Sequence, residues 1–401
     1  MKFNKIGQVS LVSAIALILA SAFTACNPVD IDYLFVAGNK QNPGQIQTFV
    51  VDRESGALST RGAAVSSGGV MPVALVTTPN YSHLFAANQG DSSIVEFTIS
   101  GSGTLTLAKS VTLSSEGNTP VSLAVNNAGT LLYVLNAYQP NCSKAVTGAS
   151  SCNGGALAVF PIGADGSLGT PVANGSLAYW PIGVNPTQVN ALSTGAAVFI
   201  TSYDPGASQG YVYGFSATSA GALTPVPAVS AGVKPVALAS DPTGRFVYVT
   251  DFAQNQMIAY TVLSGSQLKP LINGPFRTGN QPSSIQVDAR GKYIYVSNQL
   301  DNSVSAYSID LSTGTPSAAV NATGSGTNST GTQPVSLLID PGFARFVYTA
   351  NFLDNSVSGF QLNASTGTLS STLSGPYPTV GQPSALASVP HGNHSIQVNQ
   401  P

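Results

Sequence analysis

Residues 281–310 read QPSSIQVDARGKYIYVSNQLDNSVSAYSID. Within them, the run Tyr293-Ile294-Tyr295-Val296 has the aromatic and β-branched composition of a β-strand. Asp288-Ala289-Arg290-Gly291 precedes this run and carries Asp at the start and Gly at the end of a type I turn. The alternating stretch 302–309 predicts a further strand, and Ser312-Thr313-Gly314 predicts a turn into the next. The stretch therefore predicts consecutive antiparallel strands with no helix between them.

The same pattern recurs seven times along the chain. Its aromatic anchors are Phe35, Phe85, Tyr133, Phe199, Tyr248, Tyr295 and Tyr348, with spacings of 50, 48, 66, 49, 47 and 53 residues. A proline lies 13 residues before five of the anchors, at Pro72, Pro120, Pro186, Pro235 and Pro282. Repeats of about 40–50 residues with four strands are typical of propeller blades. We therefore predict an all-β fold, a seven-bladed β-propeller of four-stranded antiparallel blades.

The two ends of the chain are predicted to share one blade. The N-terminal unit, residues 33–63, lacks a proline-led first strand, whereas residues near 384–389 supply such a strand with no complete blade after it. We expect the N- and C-terminal strands to pair and close the ring. The predicted organisation is a signal peptide at 1–25, a short tether at 26–32, the propeller at 33–390 and a tail at 391–401.

The composition excludes several classes of protein. Charged residues make up 7% of the 401 residues, with a net charge of −2, whereas an average soluble domain has about 25%. A nucleic-acid binder needs a basic face, and 14 cations against 16 anions supply little material for one. A hydrophobic content of 43% is too high for a disordered chain. We expect a folded protein with no nucleic-acid partner.

The N-terminus predicts export. Lys2 and Lys5 precede an apolar stretch at 9–22, which is short for a membrane span and is followed by Phe23-Thr24-Ala25-Cys26. This resembles a bacterial lipoprotein signal, in which cleavage before the cysteine is followed by lipid attachment at Cys26. The resemblance implies a lipid anchor in the cell envelope, at the outer membrane where the cell has one because Asn27 follows the cysteine. A plain secretory signal is the alternative.

The other two cysteines fit an exported protein. Cys142 and Cys152 lie ten positions apart in a Gly/Ser/Ala-rich stretch, and an even pair in an exported chain predicts a disulfide. A metal or redox pair would need a nearby His or a Cys-x-x-Cys spacing, which the stretch lacks. We expect neither a metal nor a cofactor.

The repeat resembles a known family. Tyr293–Asn298 and Phe346–Asn351 resemble the YVTN repeat, and the whole module is similar to the lactonase family of seven-bladed propellers, which includes 6-phosphogluconolactonase-type enzymes. The resemblance covers nearly all of the predicted mature chain and implies lactone hydrolysis. Enzymes of the family typically carry Pro-Arg-His and Asn-Glu, whereas this chain has Pro334-Val335-Ser336 and Asn351-Phe352. Its enzymatic status is therefore open.

Polar residues recur three positions after the anchors and predict a ring at one end of the propeller. Its predicted members are Asn88, Asn136, Asp251, Asn298 and Asn351, with Gln281 and Gln333 beside the inner prolines. We favour a role for each Asn or Asp in holding its own turn. The alternative is a polar central mouth for a small neutral ligand. The remaining ionisable candidates for catalysis there are Asp251, Asp301, Lys234 and Arg277, and His83 is predicted to be a solvated turn residue.

Three functions are compatible with these features. We favour a lipid-anchored binding or scaffold module of the cell envelope, whose partners are the membrane, reached through the lipid, and a small polar ligand or another envelope protein. A lactone hydrolase resembling 6-phosphogluconolactonase is the second hypothesis, which requires ionisable groups to converge in one pocket. An extracellular adhesion or assembly module is the third, which predicts an exposed apolar patch.

Overall fold

The 281–310 stretch folds as predicted, into the strands Pro282–Val287, Tyr293–Asn298 and Ser303–Ile309 of one antiparallel sheet. The computed structural model describes residues 30–140, 142, 154–319 and 326–391. Within them the strands form seven sheets, and the inner strand of each sheet contacts the inner strands of two neighbouring sheets. The ring of seven four-stranded blades confirms the predicted fold class.

We number the blades 1 to 7 from the N-terminus and call the four positions in each blade inner, second, third and outer. The inner strands of blades 1 to 7 are Pro383–Pro390, Pro72–Thr77, Asn118–Val125, Pro186–Ala191, Pro235–Ser240, Pro282–Val287 and Pro334–Ile339. The second strands are Asp30–Gly38, His83–Asn88, Leu131–Tyr138, Ala197–Asp204, Phe246–Asp251, Tyr293–Asn298 and Phe346–Asn351.

The third strands are Gln45–Asp52, Ser93–Ile99, Gly155–Pro161, Gln209–Ala217, Gln256–Val262, Ser303–Ile309 and Ser356–Leu362. The outer strands, which form the edge of each blade, are Leu58–Thr60, Leu105–Thr112, Trp180–Ile182, Leu223–Ser230, Leu268–Pro270, Pro316–Ala318 and Leu369–Ser371. Four blades add a second short edge segment, namely Val65–Ser66, Phe276–Arg277, Thr327–Ser329 and Tyr377–Pro378. Ser264–Ser266 forms a short 3₁₀ turn.

Blade 1 is built from both ends of the chain. Its inner strand, Pro383–Pro390, pairs antiparallel with Asp30–Gly38, and Leu34 lies opposite Ser388. The predicted closure is therefore confirmed. The ladder begins slightly before the predicted boundary at residue 33, and the His391 N–H extends it by donating to the Ile31 carbonyl.

The hydrophobic core is divided among the junctions between blades. Seven clusters of buried side chains occur in the described part of the chain, and each joins one pair of neighbouring blades. Successive residues of a strand point to opposite faces. The second strand of blade 1 thus sends Leu34 and Val36 towards blade 7, and Tyr33 and Phe35 towards blade 2. Each blade is stabilised by the blades on both sides, which is the physical basis of the closed ring.

Two kinds of turn hold the repeat together. Between inner and second strands, the Asp241 carboxylate accepts the N–H groups of Arg245 and Phe246 at 2.7 Å, and Asp288 accepts those of Lys292 and Tyr293. This confirms the turns predicted from the Asp-x-x-Gly pattern. The second kind of turn joins the third and outer strands, and its glycine lies over the preceding blade. The anchor tyrosine of that preceding blade donates to the glycine carbonyl at 2.9 Å: Tyr248 to Gly314, Tyr295 to Gly367 and Tyr348 to Gly56.

We expect Tyr295→Phe to lower the free energy of unfolding by about 1–2 kcal/mol, because the buried Gly367 carbonyl would lose its donor. Urea unfolding of the full chain measures the change. Tyr293→Phe is the matched control in the same strand, since its hydroxyl makes a longer, part-buried bond of 3.3 Å. Equal losses in the two variants would contradict a special contribution of the blade-to-blade bond.

Candidate functional site

The inner strands of all seven blades enclose a central channel with a cavity of about 510 Å³. Its described lining consists of aliphatic, hydroxyl and amide side chains, such as Val121, Thr187, Gln188 and Ser283, and Tyr81 is its one ionisable side chain. Burial, with Asp32 nearby, raises the pKa of the Tyr81 phenol. The channel thus supplies polar neutral groups rather than an acid–base pair.

The predicted ring of Asn and Asp residues lies under the rim of this channel, out of solvent. The side chains of Asn88, Asn136, Asp251, Asn298 and Asn351 belong to residues with no exposed surface. Four of them end their second strands as predicted, and Asn136 lies two residues before the end of its strand. The chain that leads into the inner strand of the same blade covers them. Direct contact with a ligand in the mouth would require that cover to move.

Each buried member holds a loop of the rim. The Asp251 carboxylate accepts the backbone N–H groups of Val233 and Lys234 at 2.9 and 3.0 Å and that of Ala253 at 3.1 Å. Asn298 donates through Nδ2 to the hydroxyls of Ser303 and Ser305. Asn88 and Asn136 donate to the carbonyls of Ser67 and Glu116, and Asn351 donates to Ser356 and Ser358. The bonds of Asp251, Asn298 and Asn351 to Ala253, Ser303 and Ser356 span the residue's own turn, as the sequence favoured. The bonds of Asn88 and Asn136 instead hold the connection that precedes the inner strand of their blade.

A cleft of about 320 Å³ opens at the rim between blades 5 and 6. It is lined by Lys234, Phe252, Ala253, Asn255, Asn280, Gln281 and Leu300. The Lys234 ammonium lies 4.4 Å from the centroid of the Phe252 ring and 5.4 Å from that of Tyr203. Aromatic faces attract a cation without neutralising it, and no carboxylate of the described residues forms an ion pair with Lys234.

The backbone fixes the rim residues that precede the inner prolines. Gln281 has a left-handed φ of 54°, its N–H donates to Asn255 Oδ1 at 2.8 Å, and its carbonyl accepts the N–H of Gln299. Gln333 repeats this geometry with a φ of 61° and a 2.8 Å bond to Asn302 Oδ1. Gln281 lines the cleft, whereas Gln333 lies at the next junction, outside the lining of the cleft.

The four ionisable candidates do not converge. Lys234 is the one that lines the cleft, and Asp251 is buried beneath it. Asp301 lies beside the cleft, where its carboxylate accepts the backbone N–H and the side-chain amide of Asn280 at 2.6 and 2.7 Å. Arg277 lies on the outer edge of blade 5. In residues 154–319, no hydrogen bond joins the side chains of any two of them.

His83 is not the solvated residue that the sequence suggested. It is buried at the start of a second strand, at the far end of that strand from the rim, and its Nδ1 lies 3.1 Å from Glu96 Oε1. Burial raises the pKa of the Glu96 carboxyl, although His83 opposes the shift. Gly166 of blade 3 covers the pair. A Cβ at Gly166 would lie 2.1 Å from the His83 ring. The repeat contained a signal for the burial of His83. Tyr33, Phe246 and Tyr293 occupy the equivalent position, two residues before the anchor, and all three are buried.

Trp180 and Cys142 are both buried. Trp180 lies between blades 3 and 4 and donates through Nε1 to the Leu223 carbonyl at 3.0 Å, so it packs the core. Cys142 is buried, whereas its predicted partner Cys152, the lipidation candidate Cys26 and residues 1–29 lie outside the described residues. In the ranges that can be described, no helix is long and apolar enough to span a bilayer, and no three His, Cys, Asp or Glu side chains are grouped to hold a metal.

Solved structures share this fold at low sequence identity. A Pseudomonas aeruginosa periplasmic gluconolactonase aligns with a TM-score of 0.68 and 21% identity, over 90% of this chain and 99% of its own. A Bacteroides fragilis protein described as a candidate 6-phosphogluconolactonase aligns with a TM-score of 0.69 and 20% identity, over 91% and 99%. Kuenenia stuttgartiensis hydrazine synthase aligns at 0.59 with 16% identity, over 82% and 95%. The fold is thus shared by proteins with different names, and likeness at this level is a likeness of fold.

A comparison with curated proteins finds no match. The family model described as "Lactonase, 7-bladed beta-propeller" matches residues 33–387, which span all seven blades and the closing strand. The resemblance seen in the repeat is therefore confirmed over most of the chain, and this protein belongs to the lactonase family of seven-bladed β-propellers.

Proposed function

We propose that this protein is a binding module of the cell envelope that holds a small polyhydroxylated molecule, such as a sugar or sugar lactone, in the rim cleft between blades 5 and 6. The observation that carries the proposal is the lining of the cleft. It combines a half-buried cation, Lys234, with three amide side chains and with the apolar Phe252 and Leu300.

The lining matches such a ligand in two ways. The amides of Asn255, Asn280 and Gln281 can donate to and accept from hydroxyl groups, while Lys234 can donate to a carbonyl or ring oxygen. Phe252 and Leu300 offer apolar surface to the C–H face of a sugar ring. Because Gln281 is held by backbone bonds on both sides, the cleft is largely formed before the ligand arrives.

Lactone hydrolysis is the second candidate, favoured by family membership. Hydrolysis needs a group that accepts a proton from water and a donor for the developing oxyanion. Lys234 can serve as the donor, but the described lining of the cleft and channel contains no carboxylate and no histidine. We therefore favour binding without turnover.

We further propose that the module is exported and tethered through a lipid on Cys26. The positively charged start, the apolar stretch and the cysteine of the N-terminus support this proposal. The fold neighbour from Pseudomonas aeruginosa is named as periplasmic. A disulfide between Cys142 and Cys152 would suit the same oxidising compartment. A membrane-held propeller can also carry a second envelope protein, as the scaffold interpretation requires.

A panel of neutral sugars and lactones, tested on the full chain for hydrolysis and for thermal stabilisation, examines the binding proposal. We expect at least one compound to stabilise the protein without being consumed, by about 2.7 kcal/mol at a ligand concentration of 100 times Kd. Lys234→Ala and Gln281→Ala should each remove that stabilisation, because each deletes a polar group of the cleft.

Lys269→Ala is the matched control, since Lys269 is an exposed lysine on the outer strand of the same blade. It should leave the ligand response unchanged. Turnover of a lactone that disappears in Lys234→Ala and persists in Lys269→Ala would instead establish the hydrolase. Stabilisation that survives both cleft variants would place the ligand elsewhere.

A further inference from the structure

Two carboxyl groups meet where the ring closes. Asp32 lies in the second strand of blade 1, and Asp340 begins the turn after the inner strand of blade 7. Their residues are 0% and 2% exposed, and the two side chains interact directly. The contact joins the first blade to the last, at the junction that completes the propeller.

Asp340 has the donors that a buried carboxylate needs. Its Oδ1 accepts the N–H groups of Arg345 and Phe346 at 2.6 and 2.5 Å, and its Oδ2 accepts that of Phe343 at 2.9 Å. Asp241 and Asp288 occupy the same turn position in blades 5 and 6 and accept N–H groups in the same way. These hydrogen bonds favour the ionised form of Asp340, although burial of the carboxyl outweighs them and raises its pKa above the ordinary value.

Asp32 differs from Asp340 in its donors. Among the described residues, no N–H or O–H group donates to either buried Asp32 oxygen, and the buried Ser388 hydroxyl likewise has no hydrogen-bond partner there. Because Ser388 pairs with Leu34, and Leu34 faces blade 7, Ser388 and Asp32 lie on the face of blade 1 that packs against Asp340. The position equivalent to Asp32 carries Arg245, Lys292 and Arg345 in blades 5 to 7. Blade 1 therefore carries an acid at a position where three of the other six blades carry a base.

The bases that the structure describes near this junction have other partners. Arg345 and Arg53 lie over the rings of Phe346 and Phe343, each 5.7 Å from the centroid, and His391 packs on Tyr33, which faces blade 2. The other titratable groups around the junction are acids: Tyr81, Tyr348, Tyr377, Asp30 and Asp52. The described residues contain no ion pair with either carboxyl. Two ionised carboxylates here would repel each other in a medium that screens them poorly.

We propose that Asp32 is protonated and donates its proton to the Asp340 carboxylate, so that one shared proton latches the seam between blades 1 and 7. Loss of this proton leaves two facing carboxylates and loosens the closing strand. The latch is a pH-sensitive device built into the ring closure, and it is independent of any ligand in the rim cleft.

The direction of the pH dependence follows from the burial of Asp32. Burial, together with the Asp340 charge, raises the pKa of Asp32 well above its ordinary value of 3.8. Between that value and the raised pKa, the folded state binds a proton that the unfolded state has released. The stabilisation is therefore complete at low pH and is lost as pH rises through the folded pKa. Over this window the unfolding equilibrium constant gains up to about tenfold per pH unit from this pair.

Urea unfolding of the full chain between pH 4 and 9 tests the latch, with Asp32→Asn as the main variant. The Asn amide can donate to Asp340 without titrating. The ratio of unfolding constants, wild type over Asp32→Asn, should therefore rise with pH by up to about tenfold per unit within the window. A ratio that stays flat would overturn the proposal. Asp288→Asn is the control, because it changes the same turn without a facing acid, and its ratio should stay flat.

Two further measurements keep the test decisive if Asp32→Asn folds poorly. Infrared difference spectra of the wild type should contain the carbonyl band of a protonated carboxylic acid at neutral pH, and its absence would overturn the latch. Calcium and a chelator are compared at pH 8, since two carboxylates and a hydroxyl also suit a hard cation. Marked stabilisation by calcium, lost in Asp32→Asn, would replace the proton with a metal ion and overturn the proposal.

Discussion

A chain that ends after Val380 will not unfold cooperatively, because it lacks the strand that completes blade 1. Pro383–Pro390 pairs with Asp30–Gly38 along its length, and its Leu386 and Val389 are buried against blades 7 and 2. Full burial of one such side chain contributes about 1.5–3 kcal/mol. The paired backbone groups of Asp30–Gly38 would also lose their partners. The lost burial and the lost backbone hydrogen bonds together approach the whole free energy of unfolding of a typical domain, about 5–15 kcal/mol.

Strand complementation provides the measurement for this truncation. A synthetic peptide covering 382–391 should restore a cooperative thermal transition, followed by circular dichroism, to the shortened chain. A peptide carrying Leu386→Asp and Val389→Asp should not, because one buried charge would face each neighbouring blade. A truncated chain that melts cooperatively near the wild-type temperature would show that the ring does not depend on this strand.

Gly314→Ala should destabilise the protein by about 3 kcal/mol, the second large effect. Gly314 has a left-handed φ of 74°, and a Cβ there would lie 2.3 Å from the Phe246 ring of blade 5. The backbone conformation alone costs alanine about 1–2 kcal/mol. Displacing a packed aromatic ring costs about 1–3 kcal/mol more. Gly56, Gly103 and Gly367 make equivalent contacts at other junctions, so the effect tests a general feature of the ring.

Gly265→Ala is the matched control for this substitution. Gly265 has a φ of 71° in the corresponding turn of blade 5, but no heavy atom lies within 4 Å of its Cβ position. It should lose only the backbone part, about 1–2 kcal/mol. Urea unfolding of both variants separates strain from overpacking. Equal losses would mean that the Phe246 ring moves aside freely.

Part of the candidate site was predictable from sequence position. Lys234 and Gln281 directly precede inner prolines, and this register predicts their position at the rim, where both line the cleft. The depth of the neighbouring Asn and Asp residues was not predictable in the same way. Asp251 and Asn298 end their strands at the predicted level, yet the connection into the inner strand of the same blade covers them. Their burial depends on contacts between segments that are distant in the repeat unit.

The repeat by itself determined the all-β architecture, the number of blades and the closure by both chain ends. Strand length, alternation and turn residues are local properties, and seven copies of one pattern reinforce each other. Only the tertiary structure brought together His83 with Glu96 and Asp32 with Asp340. Pairing of this kind depends on which faces of two strands or blades meet. The local sequence around a polar residue does not distinguish exposure at the rim from burial at a junction between blades. Packing around the closed ring determines which of the two occurs.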